Sequence, residues 1–142
     1  MLPLIATLVF YYQLFQSGTT TTPVEIKDYA ITESLVAGLD QNQIDEVTTV
    51  IQNESGFDPT KIHYNDCAKD DPNCGCNSVG LVQIRSCNHD VSLQQAENPV
   101  FAVNFLIDNI DKCHTWWEAT CKLNGEANRG LTGDVTGGQT SP

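Results

Sequence analysis

Apolar positions along the chain fall into separated stripes with helical spacing. Leu2 to Phe15 (LPLIATLVFYYQLF) is nearly continuous, broken only by Thr7 and Gln13. A bilayer crossing takes about 20 residues, and this run has the shorter length of a signal-peptide core, so residues 1–16 read as a signal peptide or N-terminal anchor. A buried first helix is the competing reading. The polar stretch SGTTTTP, residues 17–23, follows as a Thr-rich linker ended by a proline that cannot continue a helix.

From residue 24 to 125 the periodicity predicts one mainly helical domain. Residues 28–38 (DYAITESLVAG) form a first helix closed by Gly38. Asp40 with Gln43 makes a capping box for a second, whose Ile44, Val47, Val50 and Ile51 share one face. Asn98-Pro99 opens a third, with Val100, Val103, Leu106, Ile107 and Ile110 as its stripe. Thr115 to Glu118 repeats the capping-box pattern, and Asn124-Gly125 marks its end. Residues 55–97 are loop-like apart from VGLVQI at 79–84, which has the β-branched content of a short strand. The expected class is α+β, mainly α-helical, with a small irregular or β excursion. Residues 126–142, rich in glycine, read as a flexible tail.

Six cysteines, at 67, 74, 76, 87, 113 and 121, change that picture from a plain helical domain to a stapled one. An even, dense set behind an export-like start reads as a disulfide framework in a secreted or cell-envelope protein. Six cysteines allow 15 pairings, so the connectivity stays open. A zinc site from His63, Cys67, Cys74 and Cys76 competes, although the paired CxxC knuckles of such sites are missing. No cofactor is expected. The net charge of -11, with seven Lys and Arg in the whole chain, argues against nucleic acid as a partner.

Glu54 is the residue whose placement asks for chemistry. It lies three, four and seven residues after Ile51, Val50 and Val47, on the face of the second helix that faces the core. Desolvation there would disfavour the ionised form and suit the group to donate a proton near neutrality. An ion pair with Lys61 or Arg85 is the alternative. Ser55-Gly56 and Asp58-Pro59 then break the helix and leave Glu54 at a helix-to-loop junction.

Glu54-Ser55-Gly56-Phe57-Asp58-Pro59, then Gly80-Leu81-Val82-Gln83-Ile84, then Asn98-Pro99 before Asn104-Phe105-Leu106, resembles the soluble lytic transglycosylase domain of the lysozyme-like superfamily. The resemblance spans roughly residues 28 to 125. It implies a lysozyme-like fold whose cleft holds the glycan strand of peptidoglycan, with Glu54 as the single catalytic acid/base. It also implies that Ser55 and Gln83 line the cleft near that acid and that Gly80 and Leu81 form its wall. The expected protein is a monomer whose partner is the peptidoglycan strand, with the apolar N-terminal segment available as a membrane tether.

Two departures from the family pattern stand out. Twenty residues separate Pro59 from Gly80, more than the family's short connection, and they hold Cys67, Cys74 and Cys76. The family's downstream Ala-Tyr-Asn-x-Gly has as its nearest counterpart Ala119 to Gly125 (ATCKLNG), without tyrosine. Trp117 joins the substrate-binding candidates in its stead, with Trp116 as the alternative and core packing as the competing role for one of them. A hydrolase using Asp58, Asp66, Asp70 or Asp71 to activate water, and a glycan-binding module without turnover, are the other readings.

Overall fold

Thr22, the last threonine of the linker, sets where the first helix of the domain begins. In the computed structural model, which describes residues 2–16, 21–66, 75–117 and 121, its hydroxyl accepts from the Glu25 amide and the Glu25 carboxylate accepts from the Thr22 amide at 2.7 Å. With Pro23 at the first turn, this reciprocal cap starts α2 at Pro23–Val36. The helix expected over 28–38 thus begins at residue 23. Proline breaks a helix from within but suits its first turn, where no N–H partner is needed.

α3 runs Gln41–Glu54 from the Asp40–Gln43 capping box, as the sequence predicts, and buries Ile44, Val47, Val50 and Ile51. α2 and α3 pack side by side, with Gly38 at φ +80° in the reversal between them. α5, Pro99–Asp108, is capped by the Asn98 side chain and closes the helical layer with Val103, Leu106 and Ile107. The N-terminal apolar run forms α1, Leu2–Gln16, which lies on α2 and α5. Its Tyr11 and Phe15 rings sit 6.0 and 5.1 Å from Tyr29. None of the described helices is long and apolar enough to cross a membrane.

Three two-residue strands make an antiparallel sheet in the order β1 (Ile62–His63), β2 (Ser78–Val79), β3 (Ile84–Arg85). The strand expected over 79–84 is instead a hairpin: Val79 pairs with Ile84 and residues 80–83 are the turn between them. Gly80 at φ +80° and Gln83 at φ +49° bracket that turn, and left-handed backbone cannot continue a strand. Two further elements depart from the pattern. α4, Leu93–Ala96, rises from the loop-like region on a Ser92–Gln95 capping box. α6, Cys113–Trp116, starts before Thr115 without a side-chain cap, because the 3-10 turn Ile110–Lys112 runs straight into it. The chain is mixed α+β and mainly helical, as expected.

Among the described residues two disulfides staple this frame. Cys76–Cys87 brackets the β2–β3 hairpin and Cys113–Cys121 closes the segment from α6 onward, with Cα separations of 5.4 and 5.8 Å. Both point to an oxidising compartment. Cys67 and Cys74, and the tail at 126–142, lie outside the described residues. With the Cys76 sulfur bonded to Cys87, the alternative zinc set of His63, Cys67, Cys74 and Cys76 loses a ligand.

Candidate active site

Glu54 is the last residue of α3, half-buried, and the backbone turns sharply after it. Gly56 and Phe57 both have left-handed backbone, φ +69° and +65°, and this brings the Phe57 ring into the core. Such backbone is costly for a bulky residue, so burial of the ring must hold it. Ser55 is buried and its hydroxyl donates to the Ile51 carbonyl at 3.1 Å. It fastens the last turn of the helix and does not line the cleft described below.

The two cations considered as partners of the Glu54 carboxylate have other bonds. The Lys61 ammonium donates to the main-chain oxygen of Glu54 at 2.8 Å, capping the helix end. Arg85 donates through Nε, at 2.8 Å, and through Nη2 to the main-chain oxygen of Asp66, with Nη2 3.8 Å from Asp66 Oδ1. Arg85 is thereby committed to the loop after β1.

A cleft of about 420 Å³ opens beside Glu54. Asp66, Gln83, His89, Trp116 and Trp117 line it together with that carboxylate. Gln83 is held by two bonds from its amide nitrogen, to the carbonyls of Gly80 (2.9 Å) and Lys61 (3.1 Å). Both partners are acceptors, so only the nitrogen can face them and Oε1 is left to accept from a ligand. Gly80 and Leu81 stand behind this wall. A β-carbon on Gly80 would lie 1.9 Å from the Ala96 carbonyl oxygen, and Leu81 is fully buried.

The two tryptophans divide the roles between them. Trp117 is buried and its indole N–H donates to the Val82 carbonyl at 2.7 Å, whereas Trp116 is 38% exposed. Trp116 lies 5.9 Å from Phe105 in a near-parallel stack, and the His89 ring is 4.7 Å from it. Desolvation lowers the pKa of His89 below the ordinary imidazole value, which keeps it neutral at pH 7. His89 had no signal in the sequence, where it sits in a polar loop. Phe105 was visible only within the Asn104-Phe105-Leu106 match.

Among the candidate second carboxylates, Asp66 is in the cleft and accepts from the Ser78 hydroxyl. Asp58 is a turn former, accepting from the Thr60 amide and hydroxyl at 2.8 Å each. Asp70 and Asp71 lie outside the described residues. The ligand atoms of Glu46, Cys113 and Cys121 come within 4.8 Å of one another in the core, but the two sulfurs are bonded to each other and offer no thiolate to a metal. Comparisons with protein-family profiles, with curated proteins and with solved structures give no match.

Proposed function

We propose that the chain is a lysozyme-like glycosidase of the lytic transglycosylase type, acting on the bond between N-acetylmuramic acid and N-acetylglucosamine in peptidoglycan. The observation that carries the reading is Glu54 at the end of α3, facing a cleft that also holds the Gln83 amide and the exposed Trp116 ring.

In the proposed reaction the protonated Glu54 gives its proton to the glycosidic oxygen. The bond from that oxygen to the muramyl C1 breaks, leaving a hydroxyl on one sugar and oxocarbenium character on the other. The Glu54 carboxylate then takes the proton of the muramyl 6-hydroxyl, whose oxygen attacks C1 and closes a 1,6-anhydro ring. Water is not consumed and one carboxylate serves as acid and then base, in contrast to the two-carboxylate glycosidases. Gln83 Oε1 is available to accept from a sugar hydroxyl or amide in the cleft. The two disulfides support an extracytoplasmic setting.

Incubation of the oxidised protein with peptidoglycan, beside Glu54→Gln, tests the reading by product mass. Anhydro ends, lighter than reducing ends by one water, are expected from the parent and should be lost in the variant. Release unchanged in the variant would overturn the role of Glu54. The place of Asp66 in the same cleft favours a second reading, hydrolysis with Asp66 guiding water. Reducing ends in place of anhydro ends, with loss of turnover in Asp66→Asn, would establish it.

A further inference from the structure

Lys112 ends the 3-10 turn before α6, and its side chain is exposed. Its ammonium lies 4.9 Å from the centroid of the Trp116 ring and donates to Asn109 Oδ1 at 3.0 Å. Attraction to the ring and the bond to Asn109 hold the charge beside Trp116, a residue that lines the cleft, instead of leaving it to sweep through solvent. Among the described residues Lys112 makes no ion pair. Lys61 and Arg85, by contrast, are tied to main-chain oxygens near Glu54 and Asp66. In a chain of net charge -11, a positioned cation without a carboxylate partner among the described residues, beside a partly exposed indole, suits a ligand that brings its own negative charge.

The geometry points to a subsite made by Trp116 and Lys112 that binds an amino-sugar unit bearing a carboxylate. The ring's faces meet Phe105, His89 and the ammonium, and its exposed part, 38% of the residue, supplies an apolar edge against which a pyranose can lie. The ammonium reads the acidic substituent. This deepens the peptidoglycan reading and rests on it: the carboxylate can come from the lactyl ether of the muramyl unit or from the attached peptide, and polymers of N-acetylglucosamine alone carry neither.

The full-length, oxidised chain carrying Glu54→Gln is titrated with intact peptidoglycan, with strands stripped of peptide by an amidase, and with chitin oligomers. Lys112→Gln should weaken binding about threefold on carboxylate-bearing probes, the scale of an exposed charge pair, and leave chitin unaffected. The lactyl carboxyl is held in the amide to the peptide in intact peptidoglycan and is freed only in the stripped strands. Loss on intact peptidoglycan alone therefore assigns the charge to the peptide, loss on stripped strands alone assigns it to the lactyl group, and loss on both shows that the ammonium accepts either carboxylate. Trp116→Ala should weaken all three by about tenfold, with Trp116→Phe retaining most of the affinity. The Lys112 preference should fade with added salt. Unchanged affinity in Lys112→Gln, an equal loss on chitin, or no binding of the parent to any probe overturns the subsite. A chain with Glu54 intact that shows the charge preference but releases no product would sink the cleavage reading and leave the subsite standing.

Discussion

The indole N–H of Trp117 donates to the carbonyl oxygen of Val82 at 2.7 Å, joining residues 35 positions apart. Val82 is fully buried between Gly80 and Gln83, so the bond ties the segment after α6 to the turn that carries Gln83 into the cleft. Leaving a buried carbonyl unpaired costs about 1–3 kcal/mol. Trp117→Phe should therefore lower unfolding free energy by that amount and also reduce turnover, since Gln83 loses its support. Trp116→Phe, at the exposed ring, should stay within about 0.5 kcal/mol. Urea unfolding of the two variants side by side checks the contrast, and equal losses would contradict it.

Gly80 meets two demands at once. Its φ of +80° suits glycine, and a β-carbon there would collide with the Ala96 carbonyl at 1.9 Å. Backbone cannot retreat as a flexible side chain can. Gly80→Ala should cost about 3 kcal/mol or more, because the hairpin turn must move off α4. Gly38 is also at φ +80° but has open space around it, so Gly38→Ala carries the backbone strain alone and should cost about 1 kcal/mol. Thermal midpoints of the pair separate strain from collision.

Where local rules act alone, the sequence is legible. The caps at Asp40 and Asn98 and the buried faces of α3 and α5 follow from residues within a turn of one another. Pro23 misleads because its meaning depends on which side of the helix start it stands, and the Thr22–Glu25 bond decides that. The strand read over 79–84 fails because β-branched content does not reveal left-handed backbone at Gln83, which is held by carbonyls from as far away as Lys61. The same limit applies to the site. The position of Glu54 at a helix end is a local fact, while the gathering of Asp66, His89 and Trp116 around it is made by long-range packing. Of the residues matched to the family motifs, Gln83, Ile84 and Phe105 reach the cleft with Glu54, and Ser55, Gly80 and Leu81 build the frame beneath.

The two disulfides should differ in how readily they open. Cys87 is exposed, whereas Cys113 and Cys121 are both buried, at 0% and 4% exposure. Thiol exchange needs access to a sulfur, so mild reductant should open Cys76–Cys87 first. Each bond contributes about 2–4 kcal/mol in typical proteins, and loss of the first should loosen the hairpin that carries Ser78 and Arg85 before the helices unfold. Brief reduction, alkylation and peptide mass analysis give the order directly. Modification of Cys113 ahead of Cys87 would contradict it.

His89 should make stability depend on pH near the acid side of neutrality. Burial against Phe105 and Trp116 lowers its proton affinity in the folded chain below the ordinary imidazole value near 6.5. Between that lower value and 6.5 the unfolded chain binds the proton more readily, so the unfolded state carries more protons and stability rises with pH. The contribution is full above 6.5 and is lost as pH falls through the folded value. Glu33 has the opposite sign: desolvation raises its pKa, so its contribution is present at low pH and is lost as pH rises through the folded value. Subtracting the His89→Gln variant from the parent isolates the imidazole, because Glu33 is common to both. The parent's unfolding free energy, measured in urea at pH 7.5 and again at pH 5, should fall more than the variant's. A difference between parent and variant that is the same at both pH values would show that His89 titrates alike in the folded and unfolded chain.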